Sequence, residues 1–230
     1  VYAGLGIDDA GLFSPDITGA GVQMLRFTFT SDAGCRDSAT QQITVWPRPT
    51  AAFSVLNPTC VNQSVLFSNA STPNANQLQQ WQWNFGEGNS TITNTGSIVS
   101  HVYQQTGTIA AQLIVVTDSG CVSLPATRSF QIHAVPLVDF NLPVVCMPAG
   151  VAAFTNKSTI ADGSAAQFAY SWNFGLPNAV STLKDPVYNY PSVGTYAVKL
   201  KVTSKDGCSD SLTKSLTEVY PQPMANFAVT

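Results

Sequence analysis

The chain repeats itself every 87 residues, and that periodicity restricts its fold more than any other feature. Phe53 in TAAFSV, Phe140 in LVDFNL and Phe227 in MANFAV recur at that interval, and Pro49, Pro136 and Pro223 precede each of them by four residues. Within the two complete copies Phe67 matches Phe154, Tyr103 matches Tyr190 and Gly107 matches Gly194 at the same offset. The box Trp83-Asn84-Phe85-Gly86 returns as Trp172-Asn173-Phe174-Gly175 at an interval of 89, so the second copy gains two residues before its tryptophan and loses two after it. Indels confined to connections are expected where strands are fixed and loops are free. A partial copy stands first: TSDAGCRDSATQQITV aligns with the segments around Cys121 and Cys208, which places Cys35 in the same series. The implied domains are 1–48 (the later part of one), 49–135, 136–222 and the start of a further one at 223–230.

Inside each copy the apolar residues alternate with period 2, the mark of a strand with one buried face. Tyr196, Val198, Leu200 and Val202 share a face, as do Ile109, Ala111, Leu113 and Val115, and the same offset puts Leu25, Phe27 and Phe29 inward in the first copy. Each of these strands runs into a Gly turn (Gly34, Gly120, Gly207), then Cys, then another strand, which is a hairpin pattern. Short strands with turn signals every 8–12 residues predict an all-β chain of tandem Ig-like sandwiches. Pro-containing junctions leave little slack between them, so an extended array is expected.

Only 10% of residues are charged and the formal charge is −3, which leaves no basic field for nucleic acid or an anionic lipid surface. Apolar runs are a few residues long, too short to insert in a bilayer.

The tryptophan boxes carry a resemblance. Trp-Asn-Phe-Gly-Glu-Gly at 83–88 and Trp-Asn-Phe-Gly at 172–175 are similar to the Trp-Asp-Phe-Gly-Asp-Gly signature of PKD (polycystic kidney disease) domains, and DPVYNYPSVGTYAVKLKVTSKDGC at 185–208 resembles that family's aromatic, Gly-Thr-Tyr and alternating-strand segment. The first copy resembles the Ig-like repeats that accompany PKD domains in large surface proteins of Bacteroidetes, gliding adhesins among them. The resemblance implies an Ig-like sandwich with a structural or binding role outside the cell rather than catalysis, and export by the type IX system. Asn84 and Asn173 depart from the signature's first Asp, and Leu176-Pro177 replaces its Asp-Gly. From the residues themselves, the boxes are core anchors. Trp83 and Phe85 share strand parity with Trp81, and Trp172 and Phe174 share it with Tyr170. The alternative is an aromatic platform exposed to sugar rings, and Trp81 is the residue that separates the two.

Five cysteines follow the repeat. Cys60 and Cys146 come after the first strand of each full unit, Cys121 and Cys208 after the late Gly turn. Pairing within a unit gives Cys60–Cys121 and Cys146–Cys208, each bond contributing up to about 4 kcal/mol by the chain-entropy model, and leaves Cys35 unpaired. Disulfides place the chain in an oxidising, extracellular setting. No Cys-x-x-Cys exists to suggest a metal site, and no cofactor motif appears.

Chemistry is sparse. Two histidines, His101 and His133, cannot readily furnish a nucleophile–base pair; Glu87 has no local carboxylate partner; and Asp8, Asp9 and Asp16 lack calcium-loop spacing. Asp37-Ser38-Ala39 and Asp210-Ser211-Leu212 resemble the Asp-Ser/Thr-aliphatic acceptor for O-linked glycans in Bacteroidetes, at equivalent repeat positions. The expected function is a spacer of a large secreted or cell-surface repeat protein of the adhesin type, its partners being neighbouring domains of the same chain and either surface glycans or other cell-surface and secretion proteins. The alternative is a carbohydrate- or protein-binding accessory module of a secreted hydrolase.

Overall fold

The structure, a computed structural model, describes residues 1–56 and 58–226. Phe227, third in the phenylalanine series, lies outside the described residues with the end of the 223–230 segment. The described residues are built almost wholly from strands, with one helical turn at Pro15–Thr18 and one 3₁₀ turn at Ser164–Gln167. They divide into two compact units: Val1–Val55, Phe67–Val99 and Ile109–Ser129 make the first, and 56, 58–66, Ser100–Thr108 and 130–226 make the second. The second unit therefore takes in part of the first full repeat along with all of the next.

The first unit opens with a three-stranded antiparallel sheet in the order Tyr2–Ala3, Gly21–Thr30, Arg36–Val45, in which Gly21 faces Val45 and Thr30 faces Arg36. Here the expected burial fails. Leu25 is half-buried, but Phe27 and Phe29 are 40% and 59% exposed, because among the described residues no second sheet covers that face. Alternation can only report a buried face if another layer supplies the apolar side.

The first full repeat supplies two such layers. One is a four-stranded sheet ordered Ala126–Ile132, Gly107–Thr117, Leu78–Asn84, Ser90–Thr93; the other is three-stranded, ordered Phe53–Leu56, Ser64–Asn69, Val99–Val102. Trp81, Trp83 and Phe85 point inward from the central strand, Trp83 meets Leu113 across the ladder, and Ala111, Leu113 and Val115 are fully buried.

The second unit repeats the plan. Its four-stranded sheet runs Val180–Ser181, Ala169–Asn173, Tyr196–Thr203, Ser209–Leu216, with Trp172 opposite Leu200. Strand pairs Phe140–Asn141 with Thr155–Asn156 and Val151–Ala153 with Val187–Asn189 complete the other layer, and Val145–Cys146 pairs in parallel with Val219–Tyr220. Phe140, Phe154, Trp172, Phe174, Val198 and Leu200 form the centre of one core.

Candidate functional site

Each Trp-Asn-Phe-Gly box is a strand end followed by a turn that only glycine can make. Gly86 and Gly175 have φ of +88° and +85°, and a Cβ there would come within 2.7 Å of the Ala110 carbonyl oxygen or 2.9 Å of the Ala197 nitrogen. The asparagine before each sets the turn: the side-chain oxygens of Asn84 and Asn173 accept the Gly86 and Gly175 N–H at 2.9 and 2.8 Å. A carboxylate would accept the same bond, so replacing the signature's Asp by Asn keeps the turn without its charge.

The aromatic residues of the box lie inside. Trp83, Phe85, Trp172 and Phe174 are at most 3% exposed, and Trp81 is 7% exposed. Trp83 meets Phe53 edge-on at 5.3 Å and Phe67 at 5.9 Å; Trp172 meets Phe140 edge-on at 5.1 Å and Phe154 at 5.6 Å. Burying one such ring contributes about 4–6 kcal/mol by area, an upper bound. No face is left for a sugar ring to stack on.

A tyrosine cluster closes one end of the second core. Tyr190 donates its hydroxyl to the Phe174 carbonyl at 3.1 Å and packs against Tyr188 at 5.0 Å and Tyr196 at 4.2 Å. Burial, with smaller effects from the two neighbouring phenols, pushes its phenol far above the ordinary tyrosine range. On the surface Lys214 donates to Asp139 at 2.7 Å and to the Phe140 carbonyl at 2.6 Å, with its ammonium 5.0 Å from the Phe140 ring centre. The Lys214 hydrogen bond, more than any other contact, holds the Asp139 carboxyl below its usual value.

The cysteines overturn the expected pairing. Cys60 is bonded to Cys208, 148 residues on, while Cys121 and Cys146 are thiols, as is Cys35. The second repeat gives the reason. Cys146 lies beside Tyr220, past the far end of the strand Ser209–Leu216, and Cys208 stands just before its start. Eight strand residues at about 3.3 Å each separate the two by roughly 25 Å, whereas a disulfide needs Cα atoms about 4.4–6.8 Å apart. Cys60 and Cys208 meet that requirement at 5.7 Å, and both are fully buried.

Around this bond, still within the second unit, the segment 58–63 lies against the turn 206–209. Gln63 donates to the Ser209 carbonyl at 3.1 Å, and a Cβ on Gly207 would sit 3.6 Å from Pro58. His133 pairs with Asp206 at 3.2 Å, and its backbone brackets Cys60: its N–H reaches the Thr59 carbonyl and its carbonyl accepts from Val61. His133 is thus a joint residue. His101 packs edge-on against Tyr103 at 4.6 Å. Asp8 accepts from the backbone of Ala10 and Leu12, and Asp16 pairs with Arg48 at 3.3 Å; these acids serve turns and an ion pair. Among the described residues no three His, Cys, Asp or Glu gather in one place. Ser38 and Ser211 are exposed, each third in its strand after the turn cysteine, and each donates its backbone N–H to the aspartate before it.

Two aromatic-filled β-sandwich repeats, each with a glycine-locked tryptophan box, define an Ig-like class of domain. The PKD domain model matches residues 46–132 and again 134–219. The chain belongs to the PKD domain family, which it carries as a tandem pair. Among solved structures it is similar to the PKD1 domain of Vibrio anguillarum Epp, at 26% identity over 37% of this chain and 93% of that one with a TM-score of 0.33. It is similar also to the PKD1 domain from the Vibrio cholerae metalloprotease PrtV, at 20% identity over 37% and 96% with a TM-score of 0.33. The fibronectin(III)-like modules of Clostridium thermocellum CbhA align at 11% identity over 74% and 93%, with a TM-score of 0.41. No curated protein matches the chain. No helix among the described residues is long and apolar enough to cross a membrane.

Proposed function

We propose that this chain is a spacer segment of a large exported or cell-surface repeat protein of the adhesin kind, with beads at 49–135 and 136–222 between parts of further domains at 1–48 and 223–230. The observation that carries the reading is the burial of Trp81 with Trp83 and Phe85. Aromatic residues that serve sugars must present a face to solvent, and these present none. Membership of the PKD family and a buried disulfide support a structural role in an oxidising setting. In this reading neighbouring domains and surface glycans are the partners, and Ser38 and Ser211 are sites for O-linked sugar.

One observation favours a second reading, an accessory carbohydrate-binding module: Phe27 and Phe29 are exposed on the sheet of residues 2–45, with the Tyr2 ring 4.8 Å from Phe27. Electrophoresis of the segment through gels containing soluble cellulose, xylan or chitin derivatives tests both. A spacer migrates unretarded in all of them. Retardation that disappears in Phe27→Ala or Phe29→Ala replaces the spacer by the module.

A further inference from the structure

The three thiols occupy positions that the repeat makes equivalent to the two bonded cysteines. Cys146 stands where Cys60 stands: Met147 donates to the Tyr220 carbonyl at 3.0 Å as Val61 donates to the His133 carbonyl at 2.9 Å, and both cysteines form a parallel bridge with a residue at the end of their own repeat, Tyr220 or His133. Cys35 and Cys121 stand where Cys208 stands. All three close the same turn, in which Ser31, Thr117 and Ser204 donate to the carbonyl of the cysteine four residues on (2.8, 3.0 and 2.8 Å), and Gly34, Gly120 and Gly207 donate back (2.8, 3.0 and 3.1 Å). Three copies of one turn are present, and one of them is bonded.

The surroundings of Cys121 supply a second, independent observation. In the second unit the turn 206–209 and the exit residue His133 together grip the segment 58–63 that carries Cys60. In the first unit the equivalent turn, with Cys121 and Val122, and the equivalent exit residues Trp46 and Pro47 bound an open cleft of about 580 Å³. Trp46 and Val122 are 46% and 48% exposed on it. The cleft has the walls of the Cys60 seat without its occupant.

We propose that Cys60–Cys208 is one rung of a ladder, in which the cysteine after the first strand of each repeat bonds to the turn cysteine of the repeat that follows. The occupant of the Cys121 cleft is then the segment equivalent to 58–63 from the domain that contributes residues 1–45. Cys146 bonds to the turn cysteine of the next repeat, about 148 residues on, the spacing of the rung already present. Cys35 bonds one domain further back. Each rung forms when two thiols lose two protons and two electrons and gain one Sγ–Sγ bond; a disulfide-bearing oxidant takes up the electrons and protons and leaves as a dithiol. The inference rests on reading the chain as one stretch of a longer array.

Disulfide mapping of the protein that carries this segment, isolated from its own cells and alkylated before reduction, tests the ladder. Neither Cys121 nor Cys146 takes up label before reduction. The Cys146 peptide is released only together with one containing a Gly-Cys turn, and the Cys121 peptide only with one in which the cysteine follows a first strand. Label on either cysteine, a Cys146–Cys121 bond between copies, or a link to any other kind of segment overturns the ladder. Flanking repeats found with labelled Cys121 and Cys146 would overturn the rungs and leave the array reading standing; a parent chain with no flanking repeat would remove both.

Discussion

Trp83 and Trp172 hold one place in two repeats, each 1% exposed, yet their indole N–H groups end differently. Trp172 donates to the Leu183 carbonyl at 2.9 Å. Trp83 finds no acceptor, and neither does its neighbour Trp81. The ring's place is set by the strand and the sheets, which the repeats share. The acceptor comes from the loop after the box, where the repeats differ by two residues in length. In the first repeat that loop brings Gly96 against the Trp81 ring, where a Cβ would lie 3.1 Å from Cζ2. Packing is thus inherited with the repeat, and polar satisfaction is settled locally. An N–H left without a partner costs about 1–3 kcal/mol, which the first repeat accepts in exchange for a second buried tryptophan.

The hardest blow to this comparison would be a small loss on truncation of either ring. Trp83→Ala and Trp172→Ala are each expected to lower unfolding stability by about 3–5 kcal/mol, since volume dominates and the volumes are the same; urea titration reads it, and a loss below about 1 kcal/mol at Trp83 would remove that residue from the core. Next comes the cross-repeat bond. Cys60→Ser should cost about 2–5 kcal/mol and open Cys208 to alkylation, while Cys121→Ser in the same segment should stay within about 0.5 kcal/mol. Swapping the ring for a smaller one sharpens the contrast: Trp172→Phe should cost about 1–2 kcal/mol more than Trp83→Phe, because only the former sacrifices a hydrogen bond. Equal costs would mean that the Leu183 contact contributes nothing.

The smallest effects follow pH. Asp139 has a lower pKa folded than unfolded, so its contribution is present above about pH 4 and fades as the pH falls through the folded value. Lys214→Ala should flatten that acid limb in a pH series of melting temperatures. Tyr190 behaves in the opposite sense: its pKa is raised by folding, so its contribution is whole below about pH 10 and shrinks above it, and Tyr190→Phe should flatten the alkaline limb.

Much of the fold was legible in the chain because repetition doubles every signal. The alternation at 196–202 and 111–115 names residues that are buried, and the tryptophan boxes name the centre of each core. The same alternation misled at Phe27 and Phe29, where period 2 is present but no covering layer is. The cysteine pairing could not be read from spacing, since Cys60 is equivalent in sequence to Cys146 and Cys121 to Cys208, so pairing within a repeat and pairing to the next look alike. What separates them is the length of the last strand and the parallel bridges Cys60–His133 and Cys146–Tyr220, which fix the end of the sandwich each cysteine occupies. Neither bridge leaves a trace in residue type.

The bond between Cys60 and Cys208 also governs how this molecule would answer a pull on its two termini. Tension entering at one sulfur leaves by the other and bypasses the chain between, so Trp83 and Trp172 sit in a slack bight while the strands Phe53–Leu56 and Ser209–Leu216 stay on the loaded path. That bight, if unravelled, could lengthen the tether by roughly 500 Å at about 3.4 Å per residue. With the sulfurs joined none of that length is released, and a thiol reductant would make all of it available.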